Sequence, residues 1–324
     1  KTSNMANWGY IYCSSEWGNE SNKNSIPTSQ FNQCSSDCFD GASYLFTSKA
    51  ALQTAVDLWV SDEASAICTY GQINTWNTSQ ITNMFALFRD KTTFNSNISS
   101  WDTSNVNTMS TMFRGCTAFN QNISAWNTAN VTDFRFMFYQ ANAFNQPIGN
   151  WNVSSVTQMQ YMFFNANSFN QDISSWNVSN VTTMESMFYG AEVFDADISS
   201  WNVGNVTRMS SMFGFAKDFN RNINSWDVSN VTTMLRMFIN AEAFNQDLSS
   251  WDVGLVINAE NMFSNSALST ANYDNILNGW AQLTLSTGNL FGTGTIPYTA
   301  AAATAHNTLT SAPNSWIITD GGEV

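Results

Sequence analysis

Tryptophan recurs every 25 residues, at Trp76, Trp101, Trp126, Trp151, Trp176, Trp201, Trp226 and Trp251. Phenylalanine keeps the same step from Phe88 to Phe263, through Phe113, Phe138, Phe163, Phe188, Phe213 and Phe238. A second Phe column runs from Phe94 to Phe244, and aliphatic columns run from Ile73 to Leu248 and from Ile81 to Val256. Chance does not register five columns. A unit of 25 residues cannot bury its own apolar side chains, so neighbouring units must stack on one another.

One unit, residues 169–193, reads FNQDISSWNVSNVTTMESMFYGAEV. Ile173, Trp176 and Val178 suit a short strand with one buried face. Ser179 and Asn180 supply turn or N-cap oxygens. Val181, Met184, Met187 and Phe188 follow at helical spacing, which predicts a short helix. The expected fold class is therefore an α/β repeat: a right-handed solenoid of eight strand-plus-helix rungs over residues 71–270. A cap over 1–70 closes one end, with an amphipathic helix near 48–60. A second cap over 271–324 closes the other, with helices around Tyr273–Trp280 and Ala300–Leu309 and a strand at Trp316–Thr319.

Composition excludes several functions. The 24 acidic and 11 basic residues leave a net charge of −13. That is no cationic surface for nucleic acid. No stretch approaches ~18 consecutive apolar residues, so no membrane span is expected. Only 11% of residues are charged while 14% are aromatic, which describes a polar but mostly neutral exterior over an aromatic core.

The phrase FNQDISSWNVSNVTTMESMFYGA resembles the 25-residue surface-protein repeat of the BspA-like leucine-rich-repeat surface proteins. The resemblance covers about residues 71–270. The flanks, Ser48–Val60 with Thr69–Trp76 and Leu268–Trp280 with Trp316–Gly322, resemble that family's entry and exit segments. It implies a leucine-rich-repeat-like solenoid, secreted or attached to the cell surface, used in adhesion and interaction and without enzyme activity.

Cys13, Cys34, Cys38 and Cys68 lie in the N-terminal segment, and Cys116 lies in the small-residue slot of a repeat. Cys116 reads as a buried free thiol. The other four allow three disulfide pairings, among which sequence cannot choose. Zinc is the competing reading, weakened because Cys13 and Cys68 lack a paired arm. Disulfides imply an extracellular or cell-surface setting.

Catalytic chemistry finds little support. His306 is the single histidine and has no recognisable Ser or Cys partner motif. Asp102, Asp227 and Asp252 share a column with Asn77, Asn127, Asn152, Asn177 and Asn202. An acid exchanged freely with Asn reads as a turn or ladder residue rather than a catalyst. No cofactor is expected; calcium is the competing use of these columns, but no EF-hand or Gly-Gly-x-Gly-x-Asp repeat stands in the sequence. Glycosylation sequons stand at Asn19, Asn77, Asn97, Asn122, Asn130, Asn152, Asn177, Asn180, Asn205 and Asn230. Nine belong to repeat columns, so repetition multiplies one accident.

Two functions remain. The first is a secreted, non-catalytic structural protein that associates with itself head to tail into a filament or surface layer. The second is a monomeric adhesin that binds a host protein or glycan through Ser174, Ser175, Asn177 and Ser179 and their repeats. Ice binding would want a flat Thr array, and the rungs are read as offering Ser, Asn and Asp instead.

Overall fold

The computed structural model describes residues 43–324. Helix α1 (Lys49–Ser61) opens with Ser48, whose side chain accepts from the Ala51 N–H. Helix α2 (Glu63–Tyr70) opens with Asp62, which accepts from Ser65. Leu52, Ala55, Val56 and Trp59 form the buried face of α1. That face closes the first rung, where the Trp59 and Trp76 rings meet edge to face at 5.9 Å.

Between Trp76 and Ile257 there is no helix and no regular strand. The expected solenoid of eight strand-plus-helix rungs is therefore incorrect, and so is the leucine-rich-repeat-like class. Each 25-residue rung is instead a chain of closed turns. Trp176 donates its N–H to the Ile173 carbonyl at 3.1 Å, Val181 to Val178 at 2.9 Å, Met187 to Met184 at 3.2 Å and Ala191 to Phe188 at 3.0 Å. Apolar residues stand three apart because each turn starts and ends inside the stack. That spacing imitates a helix over 181–188. Ser186, with φ 52°, and Gly190, with φ 66°, sit at the third position of successive turns, where type II geometry demands a positive φ.

The remaining backbone N–H groups join one rung to the next. Met184 donates to Arg208 at 3.0 Å, Ser186 to Ser210 at 2.9 Å, Phe188 to Met212 at 2.9 Å and Gly190 to Gly214 at 2.8 Å. A helix would spend these donors on itself and leave the neighbouring rung's carbonyls unmet. Single-residue parallel bridges mark the same contact from Asn83–Thr108 through to Thr233–Asn258.

The repeat columns fill the interior. The eight tryptophans are 0–4% exposed. Each indole N–H from Trp101 to Trp251 donates to the carbonyl of an Ile 28 residues earlier, as Trp176 does to Ile148 at 3.1 Å. A buried indole thus links adjacent rungs through both its ring and its polar atom. Phe163 and Phe188 stack at 5.6 Å with planes 3° apart, and the column repeats this from Phe88 to Phe263.

The C-terminal end returns to ordinary elements. Strands β1 (Asn258–Ala259), β2 (Leu290–Gly292) and β3 (Ile317–Thr319) form a parallel sheet in that order. Helix α3 (Thr270–Trp280) joins β1 to β2 and α4 (Ala303–Thr310) joins β2 to β3. Trp280 and Trp316 continue the indole pattern, donating to Leu248 at 3.1 Å and Ser286 at 2.9 Å.

Candidate functional site

The polar columns are largely occupied with holding the rungs. Asp172 accepts the Ser174 N–H at 2.9 Å and its hydroxyl at 2.7 Å. Asn177 accepts the Ser179 N–H at 3.2 Å, and Ser175 donates to the Gly149 carbonyl at 2.6 Å. The proposed adhesive set Ser174, Ser175, Asn177 and Ser179 therefore lies on turns, not on a strand face. Asp102, Asp172 and Asp227 make the same turn with the serine two residues on, whose hydroxyl and then N–H hold their carboxyls below the usual range. At Asp197 the Ser199 N–H is the main cause. These acids are turn formers.

The sequons split by column. Asn130, Asn180, Asn205 and Asn230 donate their side-chain N–H to a carbonyl of the preceding rung at 2.7 Å. Asn77, Asn97, Asn122, Asn152 and Asn177 use the side-chain oxygen for a turn. Asn19 lies outside the described residues. Exposed Thr132, Thr157, Thr182 and Thr207, with half-buried Thr232, form a hydroxyl column that the sequence reading overlooked. Their hydroxyls lie 3.1–3.5 Å from the preceding rung's carbonyls, to which they donate.

Cys116 is buried and free, and its thiol donates to the Phe88 carbonyl at 2.8 Å. Burial pushes it up to about 12. Cys68 lies on α2, while Cys13, Cys34 and Cys38 lie outside the described residues. His306 stacks on Tyr298 at 4.4 Å and places Nε2 3.3 Å from Asp320. Asp320 also accepts the Tyr273 hydroxyl at 2.7 Å. Burial, followed by Asp320, raises the Tyr273 phenol, which keeps it a donor. This cluster ties α3 and α4 to the chain beyond β3. Among the described residues no group of three or more His, Cys, Asp or Glu side chains could hold a metal ion. Among them, too, no helix is long and apolar enough to cross a membrane.

One surface carries exposed side chains over backbone that bonds rung to rung. The ten residues from the seventh to the sixteenth after each Trp form a ridge of turns. On it Phe136 stacks on Tyr161 at 4.7 Å, Tyr139 on Phe164 at 4.6 Å, and Phe164 on Tyr189 at 4.7 Å. The Arg114 guanidinium lies 5.0 Å from the Tyr139 ring centre. Arg89, Lys91, Arg114, Arg135, Arg208, Lys217 and Arg236 all lie on this ridge, leaving Lys49 and Arg221 as the other basic side chains of the described residues. The sequence reading missed it because its rings change from rung to rung. Counting basic residues by repeat position would have found it.

The family whose description reads Mycoplasma protein of unknown function, DUF285, matches residues 58–176 and again 163–276. The two matches together run from 58 to 276, which is 219 of the 324 residues. No curated protein matches the sequence. With two successive matches spanning its repeats, the chain belongs to the DUF285 family.

Proposed function

We propose that the protein is a non-catalytic structural protein of the cell exterior that assembles with copies of itself end to end. The observation that carries this reading is the state of β3. Ile317 donates to Asn289 at 2.8 Å and Thr319 accepts from Thr293 at 2.9 Å, so Ile318 turns its backbone groups away from β2. Among the described residues no strand pairs with that outer side, and Ile317 beside it is 61% exposed. Every rung before it passes its backbone groups to a neighbour. A further copy stacked there would continue the pattern, and a contact between unlike ends grows without closing when its rotation does not return on itself. The resemblance to BspA-like surface proteins supports an exterior setting. In this reading Cys13, Cys34, Cys38 and Cys68 form disulfides and no cofactor is needed.

Negative-stain microscopy at rising concentration tests the reading. Filaments that lengthen with concentration are expected. Single short particles across a wide concentration range would contradict it and leave the monomeric adhesin as the better account.

A further inference from the structure

The ridge has a specific pattern along the stack. Its middle carries the rings of Phe136, Tyr139, Tyr161, Phe164, Tyr189 and Phe215, with Phe215 37% exposed. These rings stack mainly on each other, with planes 2–8° apart in the first three contacts. The mutually facing sides of the stacked rings are covered, which leaves their electropositive edges along the outside of the stacks. Arg114 stands one rung before this run and Arg236 one rung after it. Neither is among the paired cations of the described residues, unlike Arg135, Arg208 and Lys217 on the same ridge.

A matching pattern exists elsewhere on the same molecule. Along the stack the residue after each Trp reads Asn77, Asp102, four asparagines from Asn127 to Asn202, Asp227 and Asp252, and it is exposed from Asp102 onward. Asp102 and Asp227 are five rungs apart, as Arg114 and Arg236 are. Acids therefore stand at the heights of these two arginines, which make no ion pair within the described residues, and neutral amides at the heights of the rings, with a further acid, Asp252, one rung beyond. Both patterns ride on the same 25-residue repeat, so they share one rise of roughly 4.8 Å per rung. A partner with another period would fall out of register within a few rungs.

We propose that the ridge of one copy docks side by side, in the same polarity, on the Asp102–Asp227 column of a second copy. Arg114 then faces the partner's Asp102 and Arg236 faces the partner's Asp227, with amides against ring edges between them. The contact joins unlike faces, so it propagates into rows rather than stopping at a pair. This extends the self-assembly proposed above from end-to-end to lateral contact, and the two are separable.

Analytical ultracentrifugation of charge reversals tests it. Arg114→Glu with Arg236→Glu, and separately Asp102→Arg with Asp227→Arg, should each weaken lateral association at least about tenfold. Mixing the two variants should restore it, because each reversed face then meets its complement. Arg236→Glu alone covers the case in which losing Arg114 from the rings disturbs folding, and melting curves verify that each variant folds. Association unchanged by the reversals, no recovery on mixing, or wild-type protein that never associates laterally would overturn the proposal. Microscopy keeps the two contacts apart. If the lateral contact is as described, reversed variants still form single-file filaments. If end-to-end growth is absent, wild-type protein still forms lateral rows.

Discussion

The repeat rungs and the C-terminal cap bury the same kinds of side chain by different means. In the cap, α3 presents Tyr273, Ile276, Leu277 and Trp280 from one helical face, and a three-stranded sheet carries the backbone pairing. In the rungs no element satisfies its own backbone. Alternate N–H groups close turns, and those between them reach the next rung. The cap could hold its elements individually, whereas a rung has meaning only beside another. Stability in the rungs should therefore be a property of the column, and damage should spread along it.

The largest contrast is expected from tryptophan. Trp176→Ala removes a side chain that is 3% exposed and takes from the Ile148 carbonyl one of its two donors, leaving the Trp151 N–H. A cost of about 3–5 kcal/mol is expected in denaturant unfolding. Trp316→Ala in the cap removes an equally buried ring. There, hydrogen exchange should show β3 and α4 opening while the rungs stay protected. Rungs that lose protection equally in both variants would erase the distinction.

Glycine sharpens it at a smaller scale. Gly190 and Gly288 both have positive φ, at 66° and 72°. A Cβ on Gly190 would collide with the Asn165 side chain of the preceding rung, whereas one on Gly288 meets nothing within 4 Å. Gly190→Ala should cost about 3 kcal/mol and Gly288→Ala about 1 kcal/mol. Equal costs would mean that rung spacing does not constrain the turn.

Acid should act on the rungs before the cap. Asp102, Asp172, Asp197 and Asp227 have folded-state carboxyls held below their ordinary value of 3.8. Their contribution is present above that value and is lost as pH falls through the lowered one. Melting temperature should therefore fall below about pH 4. Replacing all four by Asn, which already fills these columns elsewhere, should flatten that fall. The smallest effect is chemical. Cys116 should resist thiol reagents at neutral pH until the rungs unfold, since its thiol is buried and shifted to about 12.

The columns were legible in the sequence because repetition made one pattern visible eight times. The Trp and Phe series are the buried core, and the stretch read as an amphipathic helix near 48–60 is α1. The type of element was not legible. Val181, Met184 and Met187 at three-residue spacing fit a helix face and a series of closed turns equally well. Turn chemistry gave no warning at the first positive-φ column, which carries Ala86, Thr111, Phe136, Tyr161, Ser186, Ser211, Arg236 and Asn261 without a glycine, although the second holds Gly115, Asn165, Gly190, Asn240 and Asn265. Rung-to-rung hydrogen bonds override local preference there. The ridge stayed hidden for the opposite reason, since it departs from the repeat.

Nuclear magnetic resonance over residues 181–190 tests the central claim most directly. A positive φ is expected at Ser186, together with hydrogen-bond couplings from the Phe188 N–H to the Met212 carbonyl and from Ser186 to Ser210. Continuous helical chemical shifts from Val181 to Phe188, with those N–H groups bonded within the segment, would contradict the account.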